Sequence, residues 1–121
     1  MSKSAKSIQY FGYYVLIVGL QLTLIPNFFL KTIQQATTTE PWIRVVGILA
    51  ISLAFYYHQT AKKELTEFFK LSITTRVFFF VAMSALVLFG MASAIFIGLG
   101  LVDLVAAIWT WQCLKGESKM A

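Results

Sequence analysis

Residues 77–114 read VFFFVAMSALVLFGMASAIFIGLGLVDLVAAIWTWQCL, 38 residues whose one charged side chain is Asp103. As a single helix this stretch would be about 57 Å long at about 1.5 Å per residue, nearly twice a hydrocarbon core of about 30 Å. Two spans joined by a tight turn at Gly90-Met91-Ala92-Ser93 fit instead, which predicts helices at about 74–91 and 94–114. Upstream, IQYFGYYVLIVGLQLTLI supplies a span over about 8–25, stopped by Pro26, whose ring cannot continue a helix. Pro41, at a favoured first helical position, opens a further span over about 41–61. The expected architecture is therefore all-α: an integral membrane antiparallel four-helix bundle, with residues 1–121 as one transmembrane domain.

Composition supports that solvent assignment. The chain has 121 residues, 59% hydrophobic and 12% charged, with mean hydropathy +0.77. A soluble domain carries about 25% charged residues. A fold this small buries only about two-thirds of its surface, so in water the excess apolar side chains would aggregate. Disorder is excluded because it requires low hydrophobicity. The lone Cys113 closes no internal disulfide, and with one histidine in the chain it makes no tetrahedral zinc site, so neither metal nor cofactor is expected. The net charge of +5 does not point to nucleic acid, because the basic residues flank apolar runs, as membrane lipids and topology select.

Orientation follows from Lys and Arg. One side would hold Lys3, Lys6, Lys62, Lys63, Lys70, Lys115 and Lys119, with Arg76 at its edge, and the other side Lys31 and the boundary residue Arg44. That bias places both termini in the cytoplasm. The N-terminal run is basic and then apolar, but bulky LIPNFFLKT follows it where a signal peptide would have small residues, so it reads as a retained span. In the outer loop 27–40, Phe28, Phe29 and Leu30 are expected at the interface; LTEFFKL in the inner loop suggests a short interfacial helix. Arg44-Val45 and Arg76-Val77 each lie near the start of a span, which reads either as a faint inverted repeat or as boundary arginines snorkelling.

Asp103 is the residue that asks for an explanation, since a charge at mid-span costs about 2.5–3.5 kcal/mol even on lenient scales. Phe96, Gly100, Asp103, Ala107 and Thr110 share one helical face, mostly small or polar, so this face should pack inward. With helix three starting near Thr74, Arg76 lies at the inner boundary and Asp103 leans away from it. Arg44 then becomes the better partner, with Gln21 at a similar level. The expected ligand-binding set is Asp103, Arg44 and Gln21, with Tyr14. The competing reading is structural: the same polar trio would hold three helices in register.

Other polar and aromatic residues read more plainly. His58 is an interfacial histidine, and Trp42, Tyr56, Tyr57, Trp109 and Trp111 form aromatic belts. Tyr10, Tyr13 and Tyr14 serve belt and packing duties or line a cavity. Gly12 and Gly19 mark a close-packing face of helix one. No catalytic triad, HExxH, nucleophile elbow or phosphate loop occurs.

Gly19 and Pro26 closing helix one, Arg44-Val45-Val46-Gly47 opening helix two, and Val102-Asp103-Leu104 followed by Trp109-Thr110-Trp111 together resemble the small bacterial four-span proteins of the DoxX-like type. The resemblance implies an antiparallel four-helix membrane bundle in the bacterial inner membrane, with accessory, redox-related or chaperone-like roles, and it carries over no catalytic residue. Small multidrug transporters have a similar size, but their embedded acid is a Glu in the first helix, whereas here helix one has no acid. The favoured functional reading is non-enzymatic: binding of a lipid-like or small hydrophobic ligand, or assistance to a membrane partner, as a monomer or homodimer. The alternatives are a proton- or ion-coupled transporter using Asp103 and a small enzyme acting on a lipid or quinone.

Overall fold

A computed structural model describes residues 1–120, and the side chain of Lys119, counted in the charge bias, lies outside the described residues. Among the described residues the fold is entirely helical: α1 Lys3–Leu24, α2 Pro26–Thr32, α3 Trp42–Lys62, α4 Thr66–Leu88 and α5 Ile95–Met120. Three of these, α1, α4 and α5 over Ile95–Glu117, are long and apolar enough to cross a membrane. Leu88, Phe89, Met91, Trp42 and Phe78 stand more than two-thirds exposed, a surface that only a bilayer can solvate. The chain is an integral membrane protein. The 21-residue α3 matches the others in length and carries Arg44 and the run Tyr56-Tyr57-His58-Gln59.

The helix ends follow from local chemistry. Ser2 caps α1 by accepting from the Ala5 N–H at 3.1 Å. Ile25 leaves the helical region because Pro26 follows it, and Pro26 in turn opens α2. Gly90 takes φ +74° beyond the end of α4, and the Met91 N–H reaches back to the Leu86 carbonyl at 2.8 Å. The α3–α4 turn repeats this geometry with Glu64 at φ 55°, where a side chain costs about 1–2 kcal/mol.

Hydropathy marked the apolar lengths but not the helix ends. α1 begins at Lys3, five residues before the expected Ile8. α4 begins at Thr66, and LTEFFKL is its first two turns and not a separate interfacial helix. Glu67 lies in the first turn of α4, where an acid is favoured, and Phe69 is buried in the core, so the polar stretch is held in the helix by the helix dipole and packing.

α1 is the central element, packing on α3 along one side and on α5 along another, while α4 pairs with α5. The α1–α3 crossing is close enough to require glycine on both sides. A Cβ on Gly19 would lie 2.9 Å from the Gly47 carbonyl oxygen, and one on Gly47 would lie 2.7 Å from the Thr23 amide nitrogen. Near the chain ends Ala5, Ile8, Phe11, Tyr57, Ala61 and Phe69 form the buried core. Polar bonds close that end: Ser2 donates to Glu64, and the Ser4 amide and hydroxyl donate to the Glu117 carboxylate at 2.9 and 2.7 Å. The start of α1, the α3–α4 turn and the last turns of α5 therefore lie together.

Candidate functional site

Beyond this closed end the helices surround a cavity of about 740 Å³, within the range of about 300–1,000 Å³ typical of small-molecule sites. All five helices contribute to its wall, which is apolar except for Tyr14, Tyr57, Ser72, Thr75, Arg76 and Asp103. Phe29 and Leu30 of α2, with Ile33, cover the end away from the termini. A second, shallower groove on α5, lined by Leu101, Val102, Val105, Ala106 and Trp109, has no convergent polar groups.

Asp103 faces inward, as its helical face requires. Gly100, Ala107 and Thr110 on the same face are buried, and the Thr110 hydroxyl meets that of Ser7 at 2.8 Å. Its surroundings differ from the expected set. Gln21 and Arg44 do not line the cavity; Tyr14 does. Arg44 is exposed and its Nη1 donates to the Thr23 carbonyl near the end of α1, satisfying one of the carbonyls that a helix leaves without a partner. The Gln21–Arg44–Asp103 cluster is therefore not assembled.

The cation that shares the cavity with Asp103 is Arg76, which is 1% exposed. Its Nε donates to the Ser72 carbonyl at 3.2 Å, and Nη2 donates to the Ser72 hydroxyl at 3.0 Å. The Phe11 ring lies 4.9 Å beneath the guanidinium carbon. One edge and one face are thus fixed, while Nη1 is buried without a hydrogen-bond partner. Among the described residues no ion pair within 4.0 Å joins Arg76 to Asp103. Arg76 lies twelve residues before Leu88 and Asp103 eight after Ile95, which separates them by about 6 Å along the helix axis.

Sequence reasoning missed Arg76 because it started this helix eight residues late. That shift, about 12 Å of rise, moves Arg76 from the boundary to mid-span. The usable signal was the acidic Glu67 ten residues before the apolar run, since an acid in the first turn marks a helix start. The two arginines of the Arg-Val echo occupy opposite environments, one exposed and one buried.

The arrangement offers the partnerless donor of Arg76, the Asp103 carboxyl and the Tyr14 and Tyr57 hydroxyls in a mostly apolar cavity. No nucleophile–base pair accompanies them, and no group of three metal-ligating side chains occurs among the described residues. Comparison of the chain with protein-family models, curated proteins and solved structures finds no match.

Proposed function

We propose that this protein is a four-helix membrane bundle that binds a lipid-like or small hydrophobic ligand without transforming it. The observation that carries the reading is the apolar cavity into which Asp103 and the partnerless Nη1 of Arg76 converge. Burying an unsatisfied donor costs about 1–3 kcal/mol, more for a charged group, so a ligand that supplies an acceptor gains what the empty cavity loses. The bundle includes α3 as its fourth span, with both termini in the cytoplasm of a bacterial cell and the protein in the inner membrane. In support, the bonded end of the fold gathers Lys3, Lys6, Lys62, Lys63 and Lys115, as the positive-inside rule demands of a cytoplasmic face. Membership of the DoxX-like group belongs to the same proposal, carried by the quoted motifs alone.

Mass spectrometry of gently extracted protein tests the reading. A small molecule is expected at about one equivalent in wild type and is expected to be lost from a folded Ala50→Trp variant, whose indole fills the cavity. Protein that carries no small molecule, and takes up none from added lipid extract, overturns it.

A further inference from the structure

The cavity wall is uneven in a way that indicates how a ligand reaches it. Six lining residues are exposed, and all belong to two helices: Val46, Leu49 and Leu53 on α3, and Leu71, Thr75 and Phe79 on α4. The lining residues of α1, α2 and α5 are buried or half-buried. α3 and α4 are joined by the turn at residues 63–65 and meet just beyond it, where Tyr57 packs edge-on against Phe68 at 5.7 Å, but further along they scarcely pack on each other. The side between them is therefore a slot, rimmed by apolar side chains and Thr75, that faces the hydrocarbon layer.

The slot and the groups behind it restrict the occupant. A molecule arriving through the hydrocarbon pays heavily for a full charge, as an embedded ionised side chain does. The groups that await it are a fixed cationic donor, Arg76 Nη1, and the carboxyl of Asp103, whose backbone lies about 6 Å further along the axis. Together these suit an uncharged head bearing an oxygen acceptor for Arg76 and a hydroxyl for Asp103. The remaining wall is apolar and suits a chain. Resting on the ligand-binding reading above, we propose that a neutral single-chain lipid with an ester and hydroxyl head, of monoacylglycerol chemistry, passes sideways between α3 and α4 and docks its head between Arg76 and Asp103.

The test uses the full-length protein in lipid nanodiscs, with monoolein carrying a diazirine in its acyl chain and crosslinks mapped by peptide mass spectrometry. Labelling is expected on the α3 and α4 residues that line the slot. Unlabelled monoolein should compete for it, while oleate, with the same chain and an anionic head, should compete at least about tenfold less well. In Arg76→Gln competition by unlabelled monoolein should itself weaken by about tenfold, because its head loses the buried donor. Arg76→Lys, which retains the charge, provides a second variant if the first does not fold. Leu53→Trp with Leu71→Trp narrows the slot and should slow labelling.

Equal competition by oleate overturns the neutral head. Labelling confined to the outward faces, or a labelling rate indifferent to the rim tryptophans, overturns the sideways route. If monoolein does not bind while another small molecule co-purifies, the lipid class is wrong and the binding reading stands. If neither occurs, both fall.

Discussion

α3 has two sides with opposite packing. Toward α1 its backbone approaches closely enough for Gly47 and Gly19 to meet without side chains, and Tyr57 and Ala61 join the buried core. Toward α4, Leu49 and Leu53 stand 60% and 50% exposed along the cavity rim. Apolar burial gives little driving force between helices in lipid, because acyl chains solvate leucine as well as another leucine does. What closes a seam is backbone proximity, hydrogen bonding and dense contact. The α1–α3 seam has these features, and the α3–α4 side, past the Tyr57–Phe68 contact near the turn, lacks them.

The most severe way to break the contrast is Gly47→Val. Any Cβ at this position meets the backbone of Thr23 and Gly19, which cannot swing away as a flexible side chain would. The expected loss is about 3 kcal/mol or more, the upper part of the overpacking range, read by thermal unfolding in detergent. Leu49→Ala, two residues on and facing the slot, should stay within about 0.5 kcal/mol. Equal costs for the two would mean that both sides of α3 are packed alike.

The same contrast marks how much was legible in the sequence. Apolar length and proline positions revealed the number of long helices, and Gly90 located the α4–α5 turn, because bilayer thickness and backbone sterics act on local sequence. Asp103 and its inward face were legible from helical spacing. Its neighbour was not. Pairing helices by depth requires each helix start, and hydropathy is blind to the amphipathic turns of residues 66–73 that carry Arg76 into the membrane. Arg44 misled for a related reason: its task is to satisfy the Thr23 carbonyl of another helix, a partner that no spacing within α3 reveals.

A second seam sharpens the rule at lower cost. Gly100 brings α5 onto α4, where a Cβ would lie 3.2 Å from Phe80 Cα and 3.4 Å from Met83 Cβ. This is tight, but looser than at Gly47, so Gly100→Ala should lose about 1 kcal/mol, at the foot of the overpacking range. A loss matching that of Gly47→Val would place the α4–α5 seam on the same footing as α1–α3.

Between α1 and α5 hydrogen bonds hold the seam in place of glycine. Ser7 meets Thr110 through fully buried hydroxyls, and the Ser7 hydroxyl also donates to the Ser4 carbonyl at 2.6 Å. Thr110→Val removes one bond while Ser7 keeps its backbone acceptor. The expected loss is therefore modest, about 0.6 kcal/mol, near the mean for hydrogen bonds between membrane helices. A double-mutant cycle with Ser7→Ala reads the coupling directly, and a coupling of zero would show that shape alone holds this seam.

The smallest effect lies at the turn where the slot begins. The hydrogen bond from the Ser2 side chain, followed by that from its backbone N–H, holds the Glu64 carboxyl below its ordinary value of 4.5. A depressed folded-state value stabilises the fold above pH 4.5, and the contribution is lost as pH falls through 4.5 and the lower folded value. Glu64 is exposed to solvent, which limits the contribution to the scale of surface pairs, about 0.2–1 kcal/mol. Melting curves of wild type and Glu64→Gln should therefore differ slightly at pH 7, with the gap narrowing as pH falls below 4.5. The absence of any gap at pH 7 would show that the turn is held by its backbone bonds to Thr60 and Ala61 alone, and that Ser2 does not tether the foot of the slot to α1.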